Sequence, residues 1–199
     1  LITCLLRNSA TLARQGTRVP EPQSYRKLLR DVMNAAKNGP LPAGARDEVL
    51  AATLQAASPD RLVLSNAGFF GTPKMSIAAG TLYGAAEDRL ETLAGIFDGA
   101  EVTLCIAICN PATFLPAIFR KARVKSFDEF MNGADPRIVR WSELVTRLRA
   151  RFPSMPITLW RNEDLPLIWG EVLRSMAGLP AESGFEGEFA LLDEIMTEP

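Results

Sequence analysis

The sequence predicts an α/β fold: three α/β/α layers around a mainly parallel sheet, in one domain over residues 1–199. Three observations carry this. Residues 102–109 are an almost unbroken apolar run, which reads as a strand covered on both faces because it has no alternating polar side. Residues 61–65 and 156–160 are two further short apolar runs. Each is set off from the next by stretches of helical periodicity, and strands separated by helices build βαβ units. The long run stops at Asn110 and Pro111. That pair breaks a strand and opens a helix, with Asn110 as N-cap and Pro111 at the first helical position. The carboxyl end of such a strand is where open α/β sheets hold ligands.

Composition narrows the possibilities. The chain has 199 residues, 47% of them hydrophobic and 23% charged, with a formal net charge of −1. This is an ordinary balance for a globular domain and gives no global pull toward nucleic acid or a membrane surface. No apolar run approaches the roughly 18–20 residues of a membrane span, and Arg7 and Asn8 interrupt the only apolar stretch near the N-terminus. The cysteines are Cys4, Cys105 and Cys109. On one strand, Cys105 and Cys109 share a face but lie too far apart along it for a disulfide. A reducing, cytoplasmic setting is expected. Metal binding is not, because the chain has no CxxC pair and no histidine. Zero histidines also remove Ser-His-Asp and Cys-His catalysis, leaving carboxylate, Lys, Tyr or Cys as general base.

In chain order, residues 2–15 read as a helix stopped by Gly16. Residues 17–22 read as a turn. Ser24 caps a helix over 25–38 whose apolar face includes Tyr25, Leu28, Leu29, Val32 and Met33. A helix over 45–57 precedes the 61–65 strand. A Gly-rich loop over 66–80 carries Phe69, Phe70 and Lys74, and a helix follows over 85–98. Residues 111–122 are helical despite Pro116. Ser126 and Glu129 form a capping box. A helix over 140–151 precedes the 156–160 strand, and Asp164 caps a helix over 165–177 stopped by Gly178. A helix at the N-terminus with no strand before it implies a missing first strand, and both ends read as cut.

The order of elements resembles the bacterial sulfotransferase-like family, of the P-loop nucleoside triphosphate hydrolase type of fold. Residues 5–20 (LLRNSATLARQGTRVP) are similar to the family's first helix and its Gly-x-x-x-Pro turn. Leu62-Val-Leu-Ser65 is similar to a strand ending in Ser. Residues 102–119, Ser126-Phe-Asp-Glu-Phe130 and Trp160-Arg-Asn-Glu-Asp-Leu165 resemble later segments, so the likeness spans residues 1 to 179. It implies transfer of a sulfuryl group from 3′-phosphoadenosine 5′-phosphosulfate to a hydroxyl of a small molecule or glycan, without a metal. The family's phosphosulfate loop would precede Leu1. Where the family holds the cofactor's 3′-phosphate with Arg and Ser, this chain has Cys109 and Ala117, neither able to make a charge-assisted contact. The sequence therefore supports two readings: an active sulfotransferase, and a non-catalytic relative that keeps the scaffold as a binding or interaction module. Another nucleotide-binding P-loop protein is a third.

The cofactor-binding candidates are Ser65, Asn66, Lys74, Cys109 and Asn110. Ser65, Asn66 and Lys74 follow a strand end and would line a crevice. Gly71-Thr-Pro-Lys74 lacks the Walker spacing, and Pro73 removes an N–H. Cys109 reads either as a thiolate near a helix N-terminus or as an inert cysteine closing a strand. Asn110 reads as a ligand contact or a cap. Glu163 is a candidate anchor or base. Arg120, Lys121 and Arg123 form a basic cluster that reads as anion-attracting or as a solvated face. No residue is assigned a catalytic role.

Overall fold

The computed structural model describes residues 1–78 and 80–196. In chain order its elements are α1 (Ile2–Arg7), α2 (Ser9–Arg14), β1 (Thr17–Arg18), α3 (Pro22–Ala35), α4 (Ala45–Leu54), β2 (Arg61–Leu62), β3 (Ile77–Ala78), β4 (Thr81–Leu82), α5 (Ala86–Ile96), β5 (Leu104–Ile108), α6 (Pro111–Ala122), α7 (Phe127–Met131), α8 (Trp141–Arg151), β6 (Ile157–Arg161), α9 (Leu165–Ala177) and α10 (Ala190–Ile195). Short 3-10 turns cover Ala36–Asn38, Pro73–Met75, Pro136–Ile138 and Asn162–Asp164. The protein is thus mixed helix and sheet, compatible with the α/β class. The sheets are small. β1 and β2 pair in parallel, β3 and β4 antiparallel, and β5 pairs with β6.

The chain divides into two compact units. The first comprises Leu1–Leu29, Gly44–Asn66 and the chain from Trp160 onward; the second comprises Arg30–Ala43 and Ala67–Leu159. The first unit's core gathers Leu5, Leu12, Val19, Val63, Trp169, Leu173, Ala177 and Phe185. The segment expected as one helix over 2–15 is two, because Asn8 turns its side chain inward along the chain. Its Nδ2 donates to the Cys4 and Glu186 carbonyls, both at 2.9 Å, and its Oδ1 accepts from the Glu186 N–H at 3.0 Å. An Asn side chain that competes for backbone groups in this way interrupts a helix. The turn expected over 17–22 contains β1, whose Thr17 and Arg18 lie opposite Arg61 and Leu62. Thr17 is buried, and its hydroxyl donates to the Ala177 carbonyl at 2.8 Å, satisfying a carbonyl at the C-terminal end of α9. Gly16 has φ +76°, and a Cβ there would run into the Asp60 carboxylate, so this position needs glycine on two counts.

α3 starts at Pro22, so Pro22 rather than Tyr25 takes the first helical position, as proline's fixed φ favours. Ser24 is inside the helix and its hydroxyl donates to the Glu21 carbonyl at 2.8 Å. Asp164 departs from expectation too. It makes no capping hydrogen bond to α9, and its carboxylate faces the Arg161 guanidinium at 3.5 Å.

The second unit has two apolar clusters. One sets Ile77 and Leu82 of the β3–β4 hairpin against Leu115 and Ala122 of α6, Phe130 and Met131 of α7, and Val139. The other sets Ile106 of β5 against Ala86 and Leu90 of α5 and Leu144 and Leu148 of α8. Tyr83 and Trp141 pack against both. Ser126 caps α7 as expected, accepting from the Glu129 N–H at 3.1 Å; Glu129 reaches back one residue further than a capping box does, to the Lys125 N–H at 3.0 Å. Pro116 sits inside α6. β5 is narrower and less covered than residues 102–109 suggested: Ile106 is buried, Ala107 is exposed and the other three residues are half-buried. A strand with one exposed small residue does not need an apolar layer on both faces.

Candidate functional site

The carboxyl end of β5 is the place to build from. Cys109 follows the strand, and Asn110 turns the chain into α6 with φ −55° and ψ 123°. Asn110 is an N-cap in the full sense. Its Oδ1 accepts from the Ala112 N–H at 2.9 Å, while its carbonyl accepts from the N–H groups of Thr113 and Phe114 at 3.0 and 2.9 Å. Pro111 has no N–H to offer. The first-turn donors that would otherwise face an anion are therefore taken up by Asn110 itself.

An aromatic group packs around this turn. The Trp141 indole N–H donates to the Cys109 carbonyl at 2.7 Å. Trp141 meets Phe114 edge-on at 5.0 Å between ring centroids, and Tyr83 lies 6.3 Å from each of them and 5.7 Å from Phe70. Such tilted and edge-to-face pairs are the favoured arrangement of ring quadrupoles. Burial pushes the Tyr83 phenol up to about 12, and the neighbouring Cys109 sulfur adds to the shift in the same direction. Tyr83 also holds a left-handed backbone, φ +49°, which costs a non-glycine residue on the order of 1–3 kcal/mol. Its N–H donates to the Ser76 carbonyl at 2.8 Å and its carbonyl accepts from Ala86, and these bonds hold it there.

The sequence candidates fall into two groups. In the second unit, the 3-10 turn that carries Lys74 packs on α6, the helix Asn110 caps. Lys74 is exposed, Cys109 is half-buried and Asn110 is exposed. Ala117 is half-buried within α6. Arg120 and Lys121 lie in the last turn of α6 and Arg123 just past it, all exposed, where positive charge complements the helix dipole. In the first unit, Ser65 is gripped by its backbone: its carbonyl accepts from the Tyr25 hydroxyl at 2.9 Å and the Arg26 Nε at 2.8 Å, and its N–H donates to the same hydroxyl at 2.8 Å. Asn66 is half-buried beside it in sequence. Glu163 is exposed, in the turn that leads into α9.

Two charged residues that sequence reasoning passed over organise the second unit. Arg89 is buried, and its Nε donates to the Phe69 carbonyl at 2.7 Å, with weaker contacts to Gly68 and Asn34 at 3.4 Å. It anchors the 66–72 loop, and burial lowers its pKa. Arg147 on α8 donates to both oxygens of Glu87 on α5, at 2.6 and 2.7 Å, and to the Leu82 carbonyl at 2.6 Å. No sequence signal marks Arg89. Glu87 and Arg147 stand in plain helical surroundings, and only the third dimension pairs them. Among the described residues no group of three or more Cys, Asp and Glu side chains is placed to hold a metal ion, and no helix is long and apolar enough to cross a membrane.

None of the family models, curated proteins or solved structures compared with the chain matches it.

Proposed function

We propose that the chain is a non-catalytic binding or interaction module that resembles a sulfotransferase scaffold and carries a degenerate cofactor site. One observation supports this above the others: the β5–α6 turn engages its own polar groups. Asn110 satisfies the N–H of Ala112 and Trp141 satisfies the carbonyl of Cys109. A phosphate arriving there would have to displace those bonds, and the turn itself brings no cation to repay the cost. The half-buried thiol of Cys109 beside Tyr83 suits packing better than nucleophilic attack.

The second reading is sulfuryl transfer from 3′-phosphoadenosine 5′-phosphosulfate to a hydroxyl acceptor. Lys74 favours it, because its exposed side chain rides on a turn packed against α6. In that case Lys74 would neutralise charge developing on the transferred group.

Calorimetry and thermal shift with 3′-phosphoadenosine 5′-phosphate, together with a sulfuryl-transfer assay on simple phenols and sugars, decide between them. The module reading expects no heat and no change in Tm at millimolar ligand. A rise in Tm that disappears in Lys74→Ala would overturn it in favour of the enzyme.

A further inference from the structure

From Ser175 onward the sequence contains no lysine or arginine, while its described part holds Glu182, Glu186, Glu188, Asp193 and Glu194. The same stretch is rich in apolar side chains that remain in water. Phe189 is 61% exposed, Ile195 60% and Met196 67%, and Leu167 at the start of α9 is 80% exposed. Large apolar residues at such exposures mark an interaction surface where they share a face, as Leu167 and Phe189 do.

Leu167 and Phe189 line a cleft of about 370 Å³ along α9 and the segment leading into α10. Leu167, Phe189 and Leu192 supply its apolar lining, and Glu171, Glu182 and Glu188 its carboxylates. Arg174 is the cation of the cleft, and its charge is already matched. It donates to Glu188 at 2.5 Å and to the Ser183 carbonyl at 3.2 Å. Gly170 makes room for this, since a Cβ there would lie 3.0 Å from the guanidinium. The exposed Glu171 and Glu182 therefore leave the cleft with net negative charge. Leu192 of the cleft and Ile195 lie three residues apart on α10, with Met196 at its C-terminal cap.

We propose that this cleft docks a basic amphipathic helix of a partner protein, its apolar face on Leu167, Phe189 and Leu192 and its Lys or Arg side chains on Glu171 and Glu182. Charge complementarity selects this occupant. A second copy presenting the same face would bring like charges together, and an anionic membrane would be repelled by them. Recognition by an apolar groove with an acidic rim is a general mode for binding such helices. The proposal uses none of the residues around the β5–α6 turn, so it stands whichever reading of that turn holds.

The test uses the full chain and a labelled synthetic helix of about 18 residues with Leu and Lys at helical spacing, long enough to fold on contact. Fluorescence anisotropy should give a Kd on the order of micromolar. Binding should weaken about tenfold in Leu167→Asp and about tenfold in the Glu171→Lys, Glu182→Lys double variant, which corresponds to about 1.4 kcal/mol each. These side chains are exposed, so circular dichroism of the variants should match the parent. Equal binding of a Leu/Glu helix, equal binding of a Lys/Ser peptide without leucine, or indifference to Leu167→Asp would overturn the proposal. Concentration-dependent self-association abolished by Leu167→Asp would assign the face to a second copy instead and overturn it as well.

Discussion

The Trp141 indole N–H donates to the main-chain carbonyl of Cys109 at 2.7 Å, so a side chain from the start of α8 closes the end of β5. Trp141→Phe keeps a ring against Phe114 and Tyr83 and removes the donor. The Cys109 carbonyl then loses the indole hydrogen bond in a partly buried turn, which costs about 1–2 kcal/mol. Urea denaturation should show that loss as a lower midpoint with an unchanged slope. Wild-type stability in Trp141→Phe would mean that water replaces the indole at no cost.

The α5–α8 contact carries two ion-pair rungs that differ in burial. Glu87 and Arg147 are about a fifth to a quarter exposed at 2.6 Å, whereas Glu91 and Arg151, also at 2.6 Å, are more than half exposed. Glu87→Gln leaves the Arg147 guanidinium partly desolvated with a weaker acceptor, though Glu143 stands 3.1 Å from its Nε. The expected cost is about 1–3 kcal/mol. Glu91→Gln should cost less than about 0.5 kcal/mol and fade with added salt. A double-mutant cycle at each rung checks this, and equal coupling energies would refute the ranking.

Asn8→Ala removes the three hydrogen bonds that tie residues 4, 8 and 186 together. The alanine favours a continuous helix over α1 and α2, but the Glu186 N–H loses its Asn8 partner and the Glu186 carbonyl keeps the weaker Cys4 thiol at 3.2 Å. Net destabilisation of about 1–3 kcal/mol is expected, with the amide of Glu186 exchanging with deuterium much faster than in the parent. Unchanged exchange at Glu186 would show that its protection comes from elsewhere.

Both tyrosines in the chain respond to alkali late. Burial raises Tyr83 to about 12, and burial also raises Tyr25, whose hydroxyl is bonded to Ser65. A raised folded pKa means that the fold favours the protonated phenol. Stability is then full below the unfolded value of about 10 and falls as pH climbs from there toward 12. Absorbance at 295 nm should show less tyrosinate at about pH 10 in the folded protein than in the unfolded chain, whose two rings titrate near that value. Full two-tyrosine titration at about pH 10 in the folded protein would contradict this. At the acid end, Arg137 holds the Asp135 carboxyl down to about 2, mainly through its side-chain hydrogen bonds. That contribution is present above about pH 4 and lost as pH drops toward 2. An Asp135→Asn variant should therefore lose the acid dependence assigned to that pair.

Most helices were legible because their signals are local. Asn110 and Pro111 open α6, Ser126 opens α7 and Gly178 closes α9, each where its short-range preference lies. The strands were less so. β1 is two residues long and has no apolar run to announce it; it exists because Thr17 and Arg18 find Arg61 and Leu62. β5 was overestimated in cover because a continuous apolar run is equally consistent with a half-covered strand of small residues. At the β5–α6 turn the sequence located the place and the cap. It did not reveal that Trp141 and Tyr83 arrive there from remote positions to fill it. Asp164 illustrates the opposite error: a capping residue in the right position is drawn to Arg161, three residues back.

The bond from Thr17 to Ala177 and those from Asn8 to Glu186 join residues 160 and 178 positions apart. The second unit is assembled from residues 30–43 and 67–159, all made before Trp160. On a ribosome, which delivers the chain from its N-terminus, this unit can close while the first still lacks Trp169, Leu173, Ala177 and Phe185, four of the nine buried residues of its core cluster. The helices α1 and α2 must therefore wait, with Leu5 and Leu12 uncovered, until residues 169–185 emerge. An interval of that kind leaves the apolar faces of α1 and α2 open to the aggregation that chaperones prevent.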